Sequence, residues 1–255
     1  MRLKYPAEAF ALGIVAFSAG MKEAFCAGIL VLLSVVFAEF LKNLLENMVP
    51  EWSVKACVYV GTGSLSASAF LLGFSTLGIQ VETATWLLTF ILGLLSARHV
   101  LKGEIQGEYG ELFWECALLW GFWILMAILR EFCGSGNVFG YHLMDAEFMS
   151  KKFLETTFGF LSAGLALAFT NGILKKRSRD TESLLLVIPA ALFARPFEMV
   201  TFGETVGFIW TVIVPIILFI SVKKTLRFAR TGKAYRGLPV EMLAMGFIYM
   251  ILSIY

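Results

Sequence analysis

The chain has 255 residues, 58% of them hydrophobic and 16% charged, with a mean hydropathy of +0.79. Soluble domains carry roughly 25% charged residues, so an ordinary soluble enzyme is excluded. The net charge of +2 is too small for a nucleic-acid partner, which calls for a basic face.

Apolar stretches recur along the whole sequence with no Pro/Gly/Ser-rich linker, which predicts a single domain over 1–255 embedded in a lipid bilayer. A bilayer cannot pair with free backbone groups, so the predicted fold class is an all-α membrane protein, and no strands are expected. Runs able to approach the roughly 30 Å of hydrocarbon predict about nine transmembrane helices. They fall at Pro6 to Ser18, Phe25 to Leu45, Val54 to Ile79, Thr83 to Leu101, Leu112 to Ile128, Phe153 to Leu174, Leu184 to Val200, Val206 to Val222 and Leu238 to Ile254. The first is too short to cross alone. Its basic start and apolar body lack a convincing small-residue cleavage site, so it reads as a retained span and not as a signal peptide.

Nine crossings put Arg2, Lys4, Lys42, Lys55, Arg98, Lys102, the run Lys175 to Arg179 and the run Lys223 to Arg236 on one side. Lys22, Arg130, Lys151, Lys152 and Arg195 fall on the other. The positive-inside tendency then predicts a cell-membrane protein with a cytoplasmic amino terminus and an outside carboxyl terminus.

Carboxylates inside such spans are costly and usually face a cavity or a partner. Glu39 is the prime ion or proton candidate, set against a structural carboxyl between helices. Glu115, Glu198 and Glu241 lie nearer helix ends, where the interface is the plainer reading. The four cysteines, Cys26, Cys57, Cys116 and Cys133, have no CxxC or metal-ligand spacing and read as small apolar packing residues. Gly61, Gly63, Gly159, Gly164 and Gly172, with Ser64, Ser66 and Ser68, read as close helix-packing faces.

The fifth span ends in Leu129-Arg130-Glu131 and then Gly134, Gly136, Phe139 and Gly140. Glycines permit a tight interfacial turn there, and Arg130 and Glu131 can pair at the helix end. The order resembles the L-R-E-x-x-G-x-G-x-x-F stretch of the small integral subunits of Rnf and Nqr complexes, the RnfA/RnfE and NqrD/NqrE type. The resemblance runs from about residue 7 to 178. A second match is the turn with Arg236, Gly237 and Pro239, similar to the F-[RK]-G-x-P-I turn before the family's last helix. Family members are inverted three-helix repeats, so the resemblance implies a six-helix unit over 1–178 and an additional three-helix repeat over 179–255. Ala97-Arg98 before Gly103-Glu104, and Ala194-Arg195 before Gly203-Glu204, agree with such repetition.

The family holds a 2Fe–2S cluster on cysteines from L-G-L-C-P and T-N-C motifs, and thiolates suit iron. At those positions this chain has Leu12 and Ser96-Ala97-Arg98, with Ala194-Arg195-Pro196 at the third equivalent. The expectation is therefore no bound cofactor. Arg98 and Arg195 either pair with a buried carboxylate or, for Arg98, snorkel to the interface beside His99 and Lys102. No GxGxxG follows a strand, so the chain is at most a non-catalytic subunit of an oxidoreductase, with other membrane subunits or its own copies as partners. The alternatives are a secondary transporter or channel-like protein on the same scaffold, and a scaffold or assembly subunit.

Overall fold

The computed structural model describes residues 3–103, 108–176, 182–193, 203–225 and 233–253. Among them nine helices follow in order: α1 (Ala7–Phe17), α2 (Met21–Leu45), α3 (Glu51–Thr76), α4 (Thr83–Leu101), α5 (Tyr109–Ser135), α6 (Thr156–Leu174), α7 (Leu184–Phe193), α8 (Glu204–Thr225) and α9 (Leu238–Leu252). Six of these, α2 to α6 and α8, are long and apolar enough to cross a membrane. α1, α7 and α9 are shorter apolar helices. At 1.5 Å per residue, the 11 residues of α1 reach only about 16 Å.

The shortness of α1 has a physical counterpart in its position. Every residue of the helix except Ala16 is buried, because α1 is wrapped by α2, α4, α6 and α7. A helix that is apolar on all sides belongs inside a bundle. Phe10 meets Trp123 of α5 edge to face, and Phe17 packs on Phe70 and Phe74 of α3.

α2 shows how the surrounding helices choose their faces. Its buried stripe is Ala24, Ala27, Gly28, Val31, Ser34, Val35, Ala38 and Glu39, mostly small side chains that let helices approach. Its exposed stripe is Phe25, Ile29, Leu33, Val36, Phe40 and Leu44, bulky groups at the same helical spacing. In lipid there is no hydrophobic drive between helices, so small residues pack and large ones face the acyl chains. Gly28 is the tightest point, since a Cβ there would stand 2.1 Å from Cδ1 of Trp120.

Polar contacts fix the chain direction. Lys4 before α1 bridges to Glu108 before α5, Arg98 at the end of α4 meets Glu8 at the start of α1, and Lys223 at the end of α8 meets Glu241 at the start of α9. At the opposite end, the start of α2 bonds Glu131 of α5 and the end of α1 bonds Arg130. The first may be called the basic end and the second the hairpin end, after the loop that follows α5.

Several expectations are corrected. α5 runs from Tyr109 through Arg130 and Glu131 to Ser135 and does not stop at Ile128, because both charges find partners inside the protein. A short antiparallel pair, β1 (Asn137–Val138) and β2 (Tyr141–His142), lies beyond it, although no strands were expected; it sits in the connecting loop, outside the helical spans. Ser64 and Ser68 are exposed and only Ser66 bonds across to Thr89 of α4. Gly61, Gly63, Gly159 and Gly164 do sit at close approaches, whereas Gly172 makes only an ordinary contact with Ala234. Cys57 is exposed and not a packing residue, Cys116 is buried, and Cys26 and Cys133 are partly buried.

Candidate functional site

The basic end carries a connected set of ion pairs built on α1, α4, α5, α6 and α7. Glu8, in the first turn of α1, is only 9% exposed. Its Oε2 accepts from Nη1 of Arg98 at 2.9 Å, and its Oε1 accepts from the Glu182 backbone N–H at 2.9 Å. The other Arg98 nitrogen, Nη2, lies 2.7 Å from Oε1 of Glu182. Arg98 therefore ties α1, α4 and the start of α7 together, giving one guanidinium nitrogen to each of two carboxylates in charge-assisted contacts.

Beside it, Glu115 is 1% exposed and holds the start of the chain. Its Oε2 accepts the backbone N–H of Lys4 at 2.6 Å and of Tyr5 at 3.2 Å, while Lys176 donates to Oε1 at 2.6 Å. Lys176 also reaches Glu111 at 3.1 Å. Burial disfavours the Lys176 charge, but the hydrogen bonds with Glu115 and Glu111 outweigh it and shift its proton affinity upward. Glu108 is shifted downward by its hydrogen bond and attraction to Lys4. The fully buried Tyr5 hydroxyl donates to Oδ1 of Asn171 at 2.8 Å; burial first, and Glu115 second, push its proton affinity up. His99 lies 2.6 Å from the Lys4 carbonyl.

The hairpin end is organised by Arg130, 5% exposed. Its Nε donates to the Phe153 carbonyl at 2.9 Å, Nη2 to the carbonyls of Leu154 and Glu155 at 3.0 and 2.8 Å, and Nη1 to the Ser18 hydroxyl. One side chain thus satisfies the turn that leads into α6 and clamps it to the end of α1. Glu131 does not pair with Arg130: its Oε2 accepts the Met21 N–H and its Oε1 the Gly140 N–H, both at 2.8 Å. Adjacent helical positions point about 100° apart, so the two charges serve different neighbours. Gly136 ends α5 in the left-handed conformation, φ 70°, where a Cβ would also strike the Met144 carbonyl. Gly134 packs on Leu154, and Phe139 lies under the Lys22 ammonium at 5.6 Å. At the other motif, Arg236 is exposed, Gly237 has φ 85°, and Pro239 opens α9 near its first position.

Glu39 stands apart from both sets. It is 6% exposed, and its Oε2 is buried with no hydrogen-bond partner among the described residues. Arg195 and Glu198 lie outside the described residues, as do Ala194 and Pro196 of the third motif equivalent. Glu241 is bridged by Lys223 at 3.0 Å, with no hydrogen-bond partner for its Oε2 among the described residues.

The chain matches no family model, no curated protein and no solved structure.

The donor set does not fit an iron–sulfur cluster. Leu12 is fully buried among apolar groups, and Ser96 and Ala97 are fully buried. Cys57 and Cys116 lie toward the basic end, while Cys26 and Cys133 lie toward the hairpin end, so the four sulfurs do not converge. Among the described residues no group of three or more His, Cys, Asp and Glu side chains is placed to hold a metal ion. Sequence reasoning singled out Arg98 and Glu115 but missed Glu8, Lys176 and Tyr5. An acidic residue opening an apolar helix reads as interfacial until its partner, 90 positions away, is known.

Proposed function

We propose that this chain is an integral membrane subunit related to the ion-translocating electron-transport complexes of the Rnf/Nqr type, one that carries no cluster of its own. The observation that supports it most is the state of the inherited ligand positions: Leu12 is buried in packed apolar surroundings and Arg98 is locked between Glu8 and Glu182. A positive charge fixed by two carboxylates stands where the resemblance would put thiolates. In this reading electrons are handled by partner membrane subunits, and this chain supplies helix surface and a charged end for assembly.

The topology belonging to this reading has nine crossings, with α1, α7 and α9 as the short ones, arranged as inverted three-helix repeats. Two features support the repeat. The first helices of the three units, α1, α4 and α7, all touch one another. α3 packs on α4 as α6 packs on α1, and α2 packs on α3 as α5 packs on α6. The contact of α2 with α4 has no comparably extensive counterpart between α5 and α1. In this reading the basic end lies in the cytoplasm of a cell-membrane protein and the carboxyl terminus outside, which the distribution of lysine and arginine supports.

Affinity purification from native membranes in mild detergent tests the assignment. Membrane redox subunits should co-purify in fixed stoichiometry. Solute or ion flux by the protein alone in liposomes, with no co-purifying chain, would move it to the transporter class.

A further inference from the structure

Carboxylates in the bundle fall into two groups. Glu8 and Glu115, both at most 9% exposed, are each joined to a cation, Arg98 and Lys176. Glu39, equally buried at 6%, has no ion pair among the described residues, and its Oε2 is shut away with no hydrogen-bond partner. An ionised carboxylate left this way in hydrocarbon costs several kcal/mol. It lies on the small-residue stripe of α2, facing the bundle and not the lipid, six residues before Leu45. At the helical rise this is about 9 Å from the basic end of the helix.

The partner that would relieve this carboxyl must be small and removable. A bare metal cation takes several ligands at once, and among the described residues no group of three or more His, Cys, Asp and Glu side chains is placed to hold one. A proton needs one oxygen. We propose that Glu39 is a proton-exchange site, the one buried carboxyl of the described bundle that carries its own neutralising proton and releases it toward the basic end. The proposal rests on the membrane reading of the chain, and it names the ion class for a residue the subunit assignment leaves open. It does not depend on which partners the chain has.

The test uses the intact protein in lipid nanodiscs and N,N′-dicyclohexylcarbodiimide. This apolar reagent takes up the carboxyl proton as the carboxyl oxygen adds to its central carbon, and rearrangement leaves an N-acylurea detectable by peptide mass spectrometry. The adduct should form on Glu39, be absent from the ion-paired Glu8 and Glu115, decline as pH is raised, and be the same in sodium and choline chloride. Glu39→Gln should lose it. Because Glu8 and Glu115 act as internal references in the wild-type protein, the result stands even if that variant fails to fold. No adduct at Glu39, equal adduct at Glu8 and Glu115, or no decline with pH would overturn the proposal. Protection by sodium would overturn it too, in favour of a metal-ion site. Each outcome is independent of co-purifying subunits, so failure here and failure of the subunit assignment can be told apart.

Discussion

Arg98 and Glu8 are 90 positions apart in sequence and 2.9 Å apart in the fold. Their side chains are only 17% and 11% exposed, so the pair sits where one lone charge is expensive. Arg98→Met should cost about 3–5 kcal/mol by leaving Glu8 buried without its cation. Glu8→Gln together with Arg98→Met should recover most of that loss, read as thermal unfolding in detergent. An additive double mutant would show that the two charges do not depend on each other. The neighbouring pairs give a pH signature. Glu108 is held below its ordinary 4.5 by Lys4, so its contribution is present above pH 4.5 and is lost as pH falls through the lowered value. Lys176 is raised above its ordinary 10.5, so its contribution is complete below pH 10.5 and is lost as pH rises through the raised value. Melting temperature should therefore be flat with respect to these two groups near neutrality and fall at both extremes, and Lys176→Met should remove the alkaline part.

At the scale of helices, α2 and α5 depend on one close approach, Gly28 against the Trp120 indole. Gly28→Ala should destabilise the bundle by about 1–3 kcal/mol through overpacking, and Trp120→Leu on that background should restore part of it by removing the ring. A neutral Gly28→Ala would mean that α2 and α5 are not held at this distance. The helices themselves were legible because apolar runs and interrupting charges mark spans in any membrane chain. A charge closing an apolar run predicts a helix end, and at Arg130 and Glu131 the helix continues. α5 continues through Arg130 and Glu131 because Phe153, Leu154 and Glu155 offer carbonyls to the guanidinium, and the Met21 and Gly140 amides meet the carboxylate. None of those partners is adjacent in sequence. Glu39 was legible as an outlier of composition, since a carboxylate in a small-residue stripe needs a reason. That no described residue pairs with its Oε2 could be known only from packing.

For the whole molecule, the ion pairs of the basic end and the Arg130 clamp of the hairpin end mark two opposite ends of the bundle, and the proposed nine crossings would put these ends on opposite faces of the membrane. Reporters fused after Lys176 and Lys233 should report cytoplasm, and those after Asp145 and at Tyr255 the outside. A cytoplasmic signal at Tyr255 would sink the nine-span arrangement. The central claim concerns the positions where the resemblance would put cluster ligands, filled here by a buried leucine and by an arginine engaged with two carboxylates. Iron content, visible absorption and the reduced-state EPR spectrum of anaerobically purified protein test it most directly. The account predicts no stoichiometric iron and no cluster signal. Stoichiometric iron that disappears when Cys26, Cys57, Cys116 or Cys133 is replaced would contradict it.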